Sequence, residues 1–144
     1  MKHALAPNTP EWLELRKNYR TASELAIVMG ISPFTTPEKF KLIKAGLAKQ
    51  YYSQAMRAGH ETEAQIRDWA NSHFNRDFRE EIWTRGGYLA SLDGIDGDMV
   101  VEIKTSSHTY NKLMGGESIP YYEVQVQQQL YCSNAAFGHI VAYC

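Results

Sequence analysis

YLASLDGIDGDMVVEIKT, residues 88–105, is the stretch that sets the fold class. Its opening, Tyr88 to Asp93, and its close, Met99 to Thr105, alternate apolar with polar side chains over short runs, the pattern of strands. Between them, Asp93-Gly94-Ile95-Asp96-Gly97-Asp98 contains Asp-Gly steps that mark a tight hairpin. In the second run Val101 and Ile103 point one way and Glu102 and Lys104 the other, because side chains alternate along a strand. A carboxylate and an ammonium thus project together, about 7 Å apart along the backbone. Pairing around Gly97 brings Asp93 to within a residue or two of the position opposite Glu102. Directly paired residues have Cβ atoms about 5 Å apart, close enough for two carboxylates to share one cation. Asp96 and Asp98 read as turn residues.

Working outward, Phe78 to Arg85 is a third strand, residues 107–115 and 121–133 are helical, and Gly138 to Tyr143 is a last strand. Upstream the chain is helical. Thr9-Pro10 starts a helix that runs to about Asn18. Thr21 and Glu24 have capping-box spacing for a helix over 21–29, stopped by Gly30. Thr36-Pro37 and Gly46 bracket a third. The longest helix runs from Ser53 to about Phe74, with Met56, Ala64 or Ile66, Trp69 and Phe74 on one stripe and Gly59 interrupting it. Helices, then hairpin strands, then helix and strand, predict an α/β domain with a mixed central sheet flanked by helices and a helical N-terminal region.

Composition narrows the class further. A chain of 144 residues, 44% hydrophobic and 22% charged, fits one globular domain over 1–144 and argues against disorder. No apolar run reaches the roughly 18 residues of a membrane span, and the N-terminus lacks the pattern of a secretory signal, so the expected compartment is the cytoplasm. Cys132 and Cys144 have no ligand-like spacing, which predicts neither a disulfide framework nor a zinc site. The net charge of −1 hides an asymmetry: residues 1–60 hold nine Lys/Arg against four Asp/Glu, and residues 61–144 hold six against twelve. A basic front half and an acidic back half suit a surface for a polyanion beside a collector of divalent cations, although an ordinary solvated surface reads the same way.

The acidic pair favours a hard cation, Mg²⁺ with Mn²⁺ as a substitute, over zinc. Lys104 is then placed to orient a water or neutralise charge on a phosphate. Taken alone, a Glu and a Lys two apart on a strand, as Glu102 and Lys104 are, are more often a surface ion pair. The runs LDG (Leu92 to Gly94) and EIK (Glu102 to Lys104) resemble the PD-(D/E)xK nuclease signature, with Leu92 where many members carry Pro. More specifically, the chain resembles the lambda-exonuclease or YqaJ-type viral recombinase family from about Trp12 to Tyr131, in four segments: WLELR with TAS, GHETE, SLDG with EIK, and GGESIPYYEVQVQ.

That resemblance implies a restriction-endonuclease-like core, with residues 1–50 a helical DNA-end-binding region and 51–144 a catalytic core. It implies a metal site of Asp93, Glu102, the Ile103 carbonyl and Glu63, with Lys104 as the catalytic lysine. Glu61 competes with Glu63, and only the spacing from Gly59 selects the latter. Gln125 matches the family's motif glutamine, with Gln127 as its rival. Arg16, Ser23 and Ser91 match positions that gather a terminal 5′-phosphate, a task that suits a guanidinium fork and two hydroxyls. Helix-end roles are the alternative for Arg16 and Ser23.

The function implied is a Mg²⁺-dependent exonuclease that resects linear duplex DNA 5′→3′ for phage-type recombination. Its partners would be duplex DNA ends, a single-strand annealing protein and two further copies in a ring-shaped homotrimer. Family members usually continue past the strand that ends near Tyr143, so a short or truncated member is expected, which leaves the trimer open. Alternatives are a structure-specific or sequence-specific endonuclease on the same core, a non-catalytic DNA-end-binding module, and a small-molecule phosphodiesterase.

Overall fold

The computed structural model describes residues 1–47 and 54–144, with no side chain described over 54–61. Ser53 and the side chains of Met56 and Glu61 therefore lie outside the described residues. The central sheet contains β1 (Lys2–His3), β3 (Arg79–Arg85), β4 (Tyr88–Asp96), β5 (Met99–Lys104) and β6 (Phe137–Ala142) in that spatial order, and β2 (Arg20–Thr21) pairs with β4. From β1 through β3 and β4 to β5 each strand runs antiparallel to the next, whereas β2 on β4 and β6 on β5 are parallel, so the sheet is mixed. β1 and β2 are too short to show alternation, which is why sequence reading passes over them.

Two tight turns fix the register. Gly86 and Gly87 join β3 to β4 with φ 55° and 84°, the doubly left-handed backbone that a type I′ hairpin requires. Gly97 and Asp98 join β4 to β5, so the hairpin is shorter than the Asp93–Asp98 loop expected from sequence. Asp96 is consequently a strand residue whose Oδ2 accepts from the Asp77 amide at 3.1 Å, while Asp98 pairs with Arg76 at 2.9 Å.

The helices cover the sheet on both sides. α1 (Pro10–Arg16) starts where Thr9 Oγ1 accepts from the Trp12 amide, and Trp12 packs on Ile82 and Leu89. The segment expected as one helix over 21–29 is instead β2, a 3-10 turn (Ala22–Glu24) and α2 (Leu25–Val28). Thr21 is drawn into the sheet by β4, although the Thr21 amide still donates to Glu24 Oε2 at 3.1 Å. α3 (Pro37–Lys44) is capped by Thr36 and followed by Gly46 at φ 77°.

α4 (Gln54–Phe74) continues through Gly59 and buries Ile66 and Ala70, the latter with Phe78 and Val101. The expected stripe is wrong at Trp69, which is 53% exposed and stacks on His73. The buried face follows Ile66 and Ala70, one helical turn apart, and leaves Ala64 exposed. On the other face α6 (Pro120–Ser133), following α5 (Ser107–Met114), brings Cys132 against Ala90, Leu92, Ile95 and Val100. β5 is thus enclosed on both sides, and Glu102 is buried with the apolar residues. No helix among the described residues is long and apolar enough to cross a membrane.

Candidate active site

A bulge in β4 aims the first acidic residue. Glu81 lies opposite Leu92 and Arg79 opposite Ile95, so Asp93 and Gly94 together face the single residue Glu80. The extra residue lets Leu92 and Ile95 enter the same apolar cluster, which unbroken alternation would forbid, and it re-aims Asp93. Gly94 is required there: a Cβ would stand 2.7 Å from Val101 Cγ2 and 2.8 Å from Phe78 Cβ. The Asp93 carbonyl accepts from Arg67 Nε at 2.6 Å, and Arg67 Nη2 lies 3.1 Å from Glu80, an ion pair without hydrogen-bond alignment.

The pairing of Gly94 with Val101, carried one residue further, sets Asp93 against Glu102. Asp93 Oδ2 accepts from the Ile103 amide at 2.8 Å, which ties the bulge to β5. Glu102 is held at both oxygens: Gln125 Nε2 and Lys104 Nζ reach Oε1 at 3.1 Å each, and Gln129 Nε2 reaches Oε2 at 2.6 Å. Lys104 Nζ also donates to Gln125 Oε1 at 3.3 Å and sits 4.2 Å from the centre of the Tyr122 ring. Gln127, the rival glutamine, is exposed, because α6 turns it away from the strands that Gln125 faces.

Electrostatics separates the two charged types. Burial pushes the Asp93 carboxyl well above the usual carboxylate range, Glu102 and then Glu63 push it further, and the Ile103 amide and Lys104 oppose them. For Lys104 burial works against the charge, but Glu102, with Tyr122 and then Asp93, outweighs it and the ammonium is held above its ordinary value.

Asp93, Glu102, Ile103, Lys104, Gln125 and Glu63 line one cavity of about 340 Å³, and Arg16, Ser23 and Ser91 line it too. Trp12, absent from the sequence-based set, organises this second group. Its Nε1 donates to Ser91 Oγ at 2.7 Å, and the Arg16 guanidinium lies 4.3 Å over its ring. Ser23 Oγ is 3.3 Å from Thr21 Oγ1. Gln129, fully buried, is the other residue that sequence reading missed: its spacing of one helical turn from Gln125 was its only signal.

Among the described residues no three His, Cys, Asp or Glu side chains already converge on an ion position. Glu102 is instead occupied by its amide and ammonium partners. The donors at hand are oxygens, and the mutual repulsion around Asp93 is what a cation would relieve. Such a set fits a hard ion that takes one or two carboxylates plus water and phosphate, not an all-protein cage.

The same fold occurs in the crystal structure of an alkaline exonuclease, LHK-Exo, from Laribacter hongkongensis, with 26% identity and a TM-score of 0.77 over 94% of this chain and 74% of that one. The structure of LHK-Exo in complex with dAMP matches over the same shares, at 24% identity and a TM-score of 0.79. No curated protein is a significant match. The chain belongs to the family defined by the YqaJ-like viral recombinase domain, whose model matches residues 11–136.

Proposed function

We propose that this chain is a deoxyribonuclease that hydrolyses phosphodiesters at the ends of linear duplex DNA, working 5′→3′ with Mg²⁺ in a phage-type recombination pathway. The observation that carries the reading is that one cavity is lined by Asp93, by the hydrogen-bonded Glu102, Gln125 and Lys104, and by Arg16, Ser23 and Ser91. The acids and the amine suit hydrolysis, and a guanidinium with two hydroxyls in the same cavity suits a terminal phosphate. The family and the name of LHK-Exo support the same activity.

In this reading Asp93 and Glu102, with Glu63 and the Ile103 carbonyl, hold the cation. The ion supplies a water of lowered pKa and a counter-charge for the phosphate oxygens. The protein supplies the rest. Lys104 places a fixed positive charge beside the phosphate, where charge builds as the new P–O bond forms and the old one breaks. Gln125, accepting from Lys104 and donating to Glu102, keeps the ammonium directed into the cavity. Arg16, set over Trp12, and Ser91, donated to by Trp12, anchor the 5′-phosphate and fix the distance to the bond that is cut.

A homotrimer around the duplex and a single-strand annealing protein that takes the exposed strand complete the proposal. The deciding experiment incubates linear and covalently closed duplexes with Mg²⁺. Mononucleotides released from 5′-phosphorylated linear DNA, and an intact circle, are expected. Cutting of the circle would instead identify an endonuclease, and binding without hydrolysis an inactive end-binding module.

A further inference from the structure

Phe34 is 71% exposed, in the turn that precedes α3, and its amide donates to Ser32 Oγ at 3.1 Å. One exposed apolar residue is ordinary. This one is backed by others. Its ring lies 5.8 Å from Tyr121, edge to face, and 6.4 Å from Tyr122 with the planes only 28° apart. Tyr121 and Tyr122 are half-buried in the first turn of α6, 4.7 Å from each other. Tyr122 in turn carries the Lys104 ammonium 4.2 Å from its ring centre. An aromatic series therefore begins at a charged group inside the cavity and ends at a ring in solvent.

We infer that Phe34, supported by Tyr121 and Tyr122, is a stacking platform for an unpaired nucleobase of the DNA adjoining the phosphodiester at Lys104. The inference rests on the nuclease reading above and adds a contact to it. DNA with a phosphate at Lys104 must lead its neighbouring bases away in steps of about 3.4 Å, so the platform is a few steps along. A flat ring presented to solvent offers every base the same π-face and no hydrogen-bond pattern, which suits an enzyme that must advance through any sequence. The excess of Lys and Arg over Asp and Glu in residues 1–60, which include Phe34, favours a polyanion over an apolar protein segment as the occupant.

The test uses 5′-phosphorylated duplexes with 2-aminopurine at successive terminal positions, Ca²⁺ as the only divalent ion, and the full chain as wild type, F34A, F34L and F34W. Quenching at one or two positions is expected for wild type and F34W. F34A and F34L should lose it and bind about 5- to 150-fold more weakly, the effect of losing one base stack. Equal melting temperatures across the four proteins would separate this from misfolding. Wild-type affinity and quenching in F34L, or no quenched position in wild type, would overturn the inference. If wild type still degrades linear DNA with Mg²⁺ in that case, the platform fails alone; if it neither binds nor degrades DNA, the nuclease reading fails with it.

Discussion

Replacing Gln129 by leucine separates positioning from stability. In the native protein Gln129 is fully buried, donates to Glu102 Oε2 at 2.6 Å and leaves its own Oε1 without a hydrogen-bond partner. A hydrogen bond to a charged group is worth about 1.5–3 kcal/mol, and a buried unsatisfied carbonyl oxygen costs about 1–3 kcal/mol. Gln129→Leu removes both but leaves the buried Glu102 Oε2 without that donor, so the terms offset only in part and the net loss of stability should be about 1–3 kcal/mol. Glu102 keeps Gln125 and Lys104 on one oxygen but loses the restraint on the other, leaving its carboxylate free to rotate. Loss of such an orienting partner lowers metal affinity or activity by about 10- to 100-fold. The expected result is a moderate shift in the urea midpoint, a large fall in kcat on linear DNA and weaker Mn²⁺ binding by calorimetry, with KM for DNA little changed. Wild-type kcat and Mn²⁺ affinity, or a stability loss above about 3 kcal/mol, would refute the argument.

Three further outcomes follow from the same contacts. Gly94→Ala should destabilise by about 1–3 kcal/mol in urea unfolding, because its Cβ meets Val101 and Phe78, and should lower activity by displacing Asp93. Trp12→Phe keeps the ring under Arg16 but removes the donor to Ser91. The preference for 5′-phosphorylated over 5′-hydroxyl ends should fall about 2- to 10-fold, and an unchanged ratio of rates would separate Ser91 from end recognition. Burial pushes the Cys132 thiol up to about 11, whereas Cys144 is exposed. The fold thus favours the neutral thiol, a contribution present below the ordinary thiol range and lost as pH rises through about 11. Alkylation at about pH 8 should modify one thiol in the native protein and two after unfolding.

What sequence reading could see was local. Asp93, Glu102 and Lys104 are linked by one short hairpin, so alternation and turn chemistry sufficed to bring them together. The choice between Gln125 and Gln127 depends on the rotational phase of α6 against the sheet, which a run of glutamines with two valines does not reveal. The same phase problem misplaced Trp69, whose place on the helical stripe suggested burial while Ala70 holds the contact. Trp12 and Gln129 act through partners 79 and 27 residues away, distances over which no periodicity speaks. The bulge had one cue, a glycine inside an apparent strand, and that cue also fits a turn.

The bulge in β4 also means that the bearing of the acidic group is stored as a count of backbone units, not as a side-chain preference. Exchanging Asp93 for asparagine leaves that count intact and the new group in place. Deleting Gly94 would do the reverse: it keeps the acidic group and exchanges inside for outside along half of β4. Variation in strand length, rather than in residue type, is therefore the change this region can least absorb.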